Sequence, residues 1–209
     1  MTPKELLHRY LDECPLIAIV RGITPEDAEA IGQAIHDGGI RIIEVPLNSP
    51  DPLASIERIA AALGDEALVG GGTVLHWSAV HDIRAAGGRI VVSPNTNAEV
   101  ISAAAQAGLV SCPGYFTPSE AFVALDAGAT ALKLFPAEGA SPAVLKAQRA
   151  VLPKDVPLIV VGGVKPDSMQ PWREAGASGF GLGSGLFVPG QSADATAEKA
   201  RAFVAGLGR

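Results

Sequence analysis

The feature that most constrains this chain is an alternation repeated eight times: a short apolar run, a turn, then an alanine-rich segment with helical spacing. The runs are Leu16–Arg21, Ile42–Leu47, Leu68–Val74, Ile90–Pro94, Val110–Pro113, Ala131–Pro136, Leu158–Gly163 and Gly179–Phe187. Helical patterns fall near Glu26–Asp37, Pro52–Leu63, Ser78–Ala86, Asn97–Ala107, Pro118–Ala127, Pro142–Val151, Pro166–Ala175 and Ala193–Gly206. A further amphipathic helix is expected over residues 2 to about 13, with Leu6, Leu7 and Leu11 as its apolar stripe. The punctuation agrees. Thr24-Pro25, Thr117-Pro118, Ser141-Pro142 and Lys165-Pro166 place proline at or near the first helical turn. Gly38-Gly39, Gly64, Gly87-Gly88, Gly108, Gly128 and Gly176 stand where helices end and a left-handed residue is wanted.

Strict strand–helix alternation requires parallel pairing, because only a crossover connection returns the chain to the same edge. Eight units match the count of a (β/α)8 barrel, and 209 residues make it a compact one. An open doubly wound sheet is the rival, but no Gly-x-Gly-x-x-Gly turn follows the first run. The expected fold is therefore α/β: a compact single-domain (β/α)8 TIM barrel over residues 1–209 with a short N-terminal helix.

Composition narrows the partners. A formal charge of −6 with no basic cluster argues against nucleic acid. No apolar segment approaches the roughly 20 residues that span a bilayer, so no membrane contact is expected. Cys14 and Cys112 make no disulfide framework, and no signal-peptide core follows the N-terminus, which suits a reduced, cytoplasmic protein. His8, His36, His76 and His81 fall on or beside helices without a shared cluster, so neither metal nor cofactor is expected. Cys112 reads as a small buried hydrophobe and Trp172 as a packing residue.

Against this apolar background three runs carry a lone charge: Arg21, Glu44 and Lys133. Side chains alternate along a strand, so Ile42, Glu44 and Pro46 share a face, as do Ala131, Lys133 and Phe135, and Ile17, Ile19 and Arg21. The opposite faces are aliphatic and suit the helix ring, which turns all three charges inward. An ammonium removed from water costs several kcal/mol unless it is paired or sheds its proton. The convergence therefore reads as a reaction centre built around an amine. A Glu44–Lys133 ion pair that merely holds the barrel together is the alternative, although apolar packing serves stability as well.

In such barrels chemistry gathers at the C-terminal strand ends, and phosphate binds after the seventh and eighth strands through backbone N–H groups. Gly162-Gly163 and Gly181-Leu182-Gly183-Ser184 stand at those two ends. A sugar phosphate is the implied ligand.

Together the motifs Ile19–Thr24, Glu44–Ser49, Gly70–Val74, Ser93-Pro94-Asn95, Leu132–Pro136, Val161–Val164 and Gly181–Ser184 carry a resemblance along nearly the whole chain. They resemble the class I aldolases for 2-keto-3-deoxy-6-phosphosugar acids. The resemblance implies a homotrimeric barrel with Lys133 as Schiff-base lysine and Glu44 as general acid/base. Its expected reaction is reversible retro-aldol cleavage to pyruvate and D-glyceraldehyde 3-phosphate. Arg21 is expected to hold the substrate carboxylate, with Asn48 nearby and Thr73 and Pro94 shaping the pyruvate end. Gly162, Gly163, Gly183 and Ser184 are expected to bind the phosphate.

The branch of this family acting on the gluconate epimer carries an arginine where Asn48 stands and a threonine where Val161 stands. Here the arginine is Arg21, which is the arrangement of the galactonate branch. The galactonate epimer is thus the expected substrate, the gluconate epimer or both being the alternative. A phosphosugar epimerase using Glu44 as base, or a non-catalytic sugar-phosphate module, are the readings outside this class.

Overall fold

The computed structural model describes residues 1–208. Nine strands run through it: β1 Leu16–Ile19, β2 Ile42–Pro46, β3 Leu68–Gly72, β4 Ile90–Val92, β5 Val110–Cys112, β6 Gly114–Tyr115, β7 Leu132–Leu134, β8 Leu158–Val161 and β9 Gly179–Leu182. The helices are α1 Pro3–Glu13, α2 Pro25–Asp37, α3 Pro52–Leu63, α4 Ala79–Ala85, α5 Ala98–Gln106, α6 Pro118–Asp126, α7 Pro142–Arg149, α8 Met169–Glu174 and α9 Ala193–Ala205. Every strand pair is parallel, in the order β5-β4-β3-β2-β1-β9-β8-β7-β6.

The count of nine rather than eight has a local cause. The fifth expected run, Val110–Pro113, becomes β5, and the chain pairs again as the short β6 just beyond Pro113, which has no N–H to give a ladder. The Pro113 carbonyl still accepts from Lys133 N at 2.8 Å, and the Ser111 carbonyl accepts from Ala131 N at 3.1 Å. Those bonds join the two ends of the sheet order. The result is the expected α/β barrel.

Two layers of core follow from the alternation of side chains. One faces the helices and includes Ala18, Ile43, Val45, Val69, Val91, Leu132, Leu134, Val160 and Phe180. The other fills the barrel with Ile17, Ile19, Ile42, Leu68, Ile90, Val92, Ala131, Ile159 and Val161. α1 brings Leu7, Tyr10 and Leu11 into this second cluster and so stoppers one end of the ring. Each such fully buried aliphatic contributes about 1.5–3 kcal/mol relative to exposure. α1 is itself fixed by a capping box in which Thr2 Oγ1 accepts from Glu5 N and the Glu5 carboxylate accepts from Thr2 N.

Three expectations at element ends need correction. Arg21 belongs to no strand: β1 stops at Ile19, and Arg21 sits exposed in the turn beyond it. The eighth run does not continue as a strand to Phe187, because β9 ends at Leu182 and the chain turns through Gly183–Phe187. Lys165-Pro166 opens no helix. Ser168 Oγ accepts from Lys165 N and Ser168 N donates back to the Lys165 carbonyl, closing a turn, and α8 begins only at Met169. Among the described residues no helix is long and apolar enough to cross a membrane.

Candidate active site

The inner wall provides the floor of the site. Glu44 on β2 pairs in register with Ile19 of β1 and Gly70 of β3, and its side chain is only 1% exposed. Lys133 on β7 pairs with Gly114 and Ile159 and is 6% exposed. Glycine at position 72 makes room for the acid: a Cβ there would collide with the Glu44 carboxyl. Among the described residues Glu44 and Lys133 form no ion pair within 4.0 Å, and Glu44 Oε2 is buried without a hydrogen-bond partner. A fixed ion pair holding the barrel together is therefore absent. Burial raises the Glu44 pKa from 4.5 to about 7, against the opposing pull of the Lys133 and Arg21 charges. An acid poised there holds or gives up a proton near neutrality. The Lys133 amine lies 4.9 Å from the centroid of the Phe135 ring, which shares its wall. Cys112, beside them in the barrel, is pushed up to about 12 by burial and stays a thiol.

Above this floor opens a cavity of about 410 Å3 at the C-terminal strand ends. Arg21, Thr73, Pro94, Lys133, Val161, Gly162, Gly163, Gly183 and Ser184 all line it. The structure thus gathers nine of the eleven residues singled out in the sequence at one surface. The other two do not line it. Glu44 lies deeper in the barrel, and Asn48 Oδ1 accepts from Arg21 Nη1 at 2.6 Å. Thr73 Oγ1 accepts from the same Arg21 nitrogen at 3.4 Å, so the guanidinium is held from two sides. Thr73 has φ +54°, a conformation unfavourable for a β-branched residue by roughly 1–3 kcal/mol and typical of functional turns. Its flanks fix it: the Gly72 carbonyl accepts from Leu47 N at 2.8 Å and Val74 N donates to Val92 at 3.2 Å.

At the end of the cavity formed by the turns after β8 and β9, Gly183 faces open space, since a Cβ there would meet nothing within 4 Å. Gly162 and Gly163 both have positive φ, and the carboxylate of Glu138 lies over them. Glu138, Phe135, Phe187 and Pro189 line the cavity without having been assigned a role from the sequence. Phe135 was placed on the inward face by alternation. Glu138 follows β7 on a short 3-10 turn, Ala137–Gly139, where no periodicity announces it. Its only signal was a charge shortly after the lysine run.

A larger hollow of about 860 Å3 lies between α2 and α9, lined by Ala30, Gln33, Asp37, Asp194, Glu198 and Arg201 and by none of the residues singled out in the sequence. Among the described residues no group of three or more His, Cys, Asp or Glu could hold a metal.

The family model for KDPG and KHG aldolase matches residues 7–199. The 2-dehydro-3-deoxy-6-phosphogalactonate aldolase of Escherichia coli K12 is 48% identical over 196 residues, covering 94% of this chain and 96% of the relative. A solved structure described as native KDPGal superposes with a TM-score of 0.91 at 47% identity, over 93% of this chain and 95% of that one. The KDPG aldolase of Legionella pneumophila, solved with pyruvate captured as a covalent carbinolamine, superposes with a TM-score of 0.80 at 27% identity, over 98% of each chain.

Proposed function

The chain belongs to the KDPG and KHG aldolase family, and on that premise we propose that it cleaves 2-dehydro-3-deoxy-6-phospho-D-galactonate reversibly to pyruvate and D-glyceraldehyde 3-phosphate. The observation that carries this reading is a buried amine and a buried acid, unpaired with each other, at the floor of an otherwise open cavity.

In the proposed mechanism the neutral Lys133 amine adds to the C2 ketone. Glu44 supplies the proton with which the C2 oxygen leaves as water, giving a protonated imine. The resulting carboxylate, through a water, takes the proton of the C4 hydroxyl. The electron pair of the C3–C4 bond moves into the imine, leaving an enamine on Lys133 and the aldehyde free. Protonation of the enamine at C3 and hydrolysis release pyruvate and restore the amine. A Glu44 pKa near 7 suits both directions of proton transfer.

Arg21 is the carboxylate clamp, its guanidinium aimed by Asn48 and Thr73. Thr73 and Pro94 bound the pyruvate end. Gly162, Gly163, Gly183 and Ser184 receive the phosphate, with Gly183 and Ser184 the open side. Val161 stands beside C4, the carbon at which the galactonate and gluconate epimers differ. The greater similarity to the galactonate relative than to the gluconate one supports the branch.

The same reading takes residues 1–209 as one aldolase domain, cytoplasmic in keeping with a chain whose two cysteines, Cys14 and Cys112, are both buried. It also includes a homotrimer. The family supports that assembly, and exposed Leu75, Trp77, Phe116 and Phe122 are the apolar side chains it could cover. Pyruvate release from the galactonate and gluconate substrates, assayed side by side, tests the proposal. Faster release from the galactonate epimer is expected. Equal rates undo the branch, and no release from either undoes the aldolase reading.

A further inference from the structure

From Glu138 we infer a specificity element of the aldolase proposed above: its carboxylate accepts a hydrogen bond from the substrate hydroxyl at C5, the carbon next to the phosphate-bearing one. The inference rests on that reading for the identity of the substrate and on geometry for everything else.

Glu138 reaches the cavity from the 3-10 turn after β7 and lies against both Gly162 and Gly163. A Cβ on Gly163 would sit 3.0 Å from Glu138 Cγ, and one on Gly162 would collide with Oε2. The acid is therefore spread over the turn that ends β8, on the cavity side. Among the described residues its carboxylate accepts no hydrogen bond and forms no ion pair. A cavity wall thus presents an acceptor with unused capacity.

Its height on the wall decides which substrate atom it meets. Lys133 is level with Ile159 on β8, and Val161 is the next inward residue above Ile159. Gly162 follows Val161 in the chain, and Glu138 lies against Gly162 and Gly163. A substrate joined to Lys133 at C2 and rising to the glycine turns passes Val161 at C4 and Glu138 at C5. An anionic acceptor beside an anionic phosphate is unfavourable unless a donor lies between them. The C5 hydroxyl is that donor. Repulsion by the same carboxylate biases the phosphate toward the Gly183 and Ser184 side of its cradle, where a Cβ on Gly183 would meet nothing within 4 Å beyond its own chain neighbours.

The test runs the reaction toward condensation. Pyruvate is offered with D-glyceraldehyde 3-phosphate or with 3-oxopropyl phosphate, which lacks only the hydroxyl destined for C5. Wild type is expected to favour the hydroxylated acceptor in kcat/KM by about 10- to 100-fold, the range of a hydrogen bond to a charged acceptor. In Glu138→Ala the ratio falls to near one. Glu138→Gln, whose amide oxygen still accepts, gives an intermediate ratio. A wild-type ratio near one, or a ratio unchanged in both variants, overturns the assignment. So does equal loss of both acceptors in the near-isosteric Glu138→Gln, which marks a structural role. Wild type giving product with neither acceptor removes the aldolase reading itself, an outcome distinct from all of these.

Discussion

Gly72 holds open the space that the Glu44 carboxyl fills: the two residues sit on adjacent strands, and any side chain at 72 would displace the acid. Gly72→Ala is therefore expected to lower kcat/KM by about 100-fold or more while unfolding costs stay near the 1–3 kcal/mol of an overpacked core. Steady-state kinetics beside thermal unfolding separate the two effects. An alanine variant with wild-type kcat/KM contradicts the placement of the acid.

Glu44 also makes a signed statement about pH. Its folded pKa is raised to about 7 from an ordinary 4.5, so between those values the native state keeps a proton that the unfolded chain has released. Stability then falls as pH rises through that window and is level above it. Glu44→Gln has no such proton. It is expected to be more stable than wild type at pH 8, by on the order of 2–4 kcal/mol, and no more stable at pH 4. Urea unfolding at the two pH values checks this. The kcat/KM profile of wild type should bend near pH 7, and that bend should vanish in the variant.

Arg21 is placed by its neighbours, with Asn48 Oδ1 at 2.6 Å. A lysine keeps the charge but not the planar fork. Arg21→Lys is expected to raise KM for the substrate about tenfold, with kcat reduced less. Asn48→Ala, which frees the guanidinium without removing it, should raise KM severalfold. Inhibition by a simple 2-keto acid should weaken in parallel, because the carboxylate is the group being held.

Val161 lines the cavity two residues above the level of Lys133 on the adjoining strand. Val161→Thr adds a hydroxyl beside C4 and is expected to raise the gluconate-to-galactonate ratio of kcat/KM by about 2- to 13-fold, the range of one neutral hydrogen bond. Pyruvate release from each epimer measures it, and an unchanged ratio excludes Val161 as the discriminating residue.

How much of this was legible in the sequence depended on periodicity. The barrel was, because eight apolar runs separated by helical spacing admit few alternatives, and alternation along β2 and β7 turned Glu44 and Lys133 inward. The limits came where the periodic signal stops. Arg21 was read as the last residue of a strand, yet β1 ends at Ile19 and the turn carries Arg21 out to the rim. The fifth run was ended at Pro113, where a proline interrupts pairing, and the two paired residues beyond it, Gly114–Tyr115, were too short to show as a run of their own. Glu138 was missed because it lies on a loop, where spacing says nothing about facing. Its contact with Gly162 and Gly163 joins residues of two different units, a relation that only the closed ring creates.

In the proposed reaction Lys133 joins covalently to a 2-keto acid. Incubating the protein with pyruvate and borohydride, then mapping the adduct by mass spectrometry, tests it most directly. The expected result is an irreversible addition confined to Lys133 with loss of activity, absent in Lys133→Arg. An unmodified protein, or an adduct on any other lysine with activity intact, would contradict it.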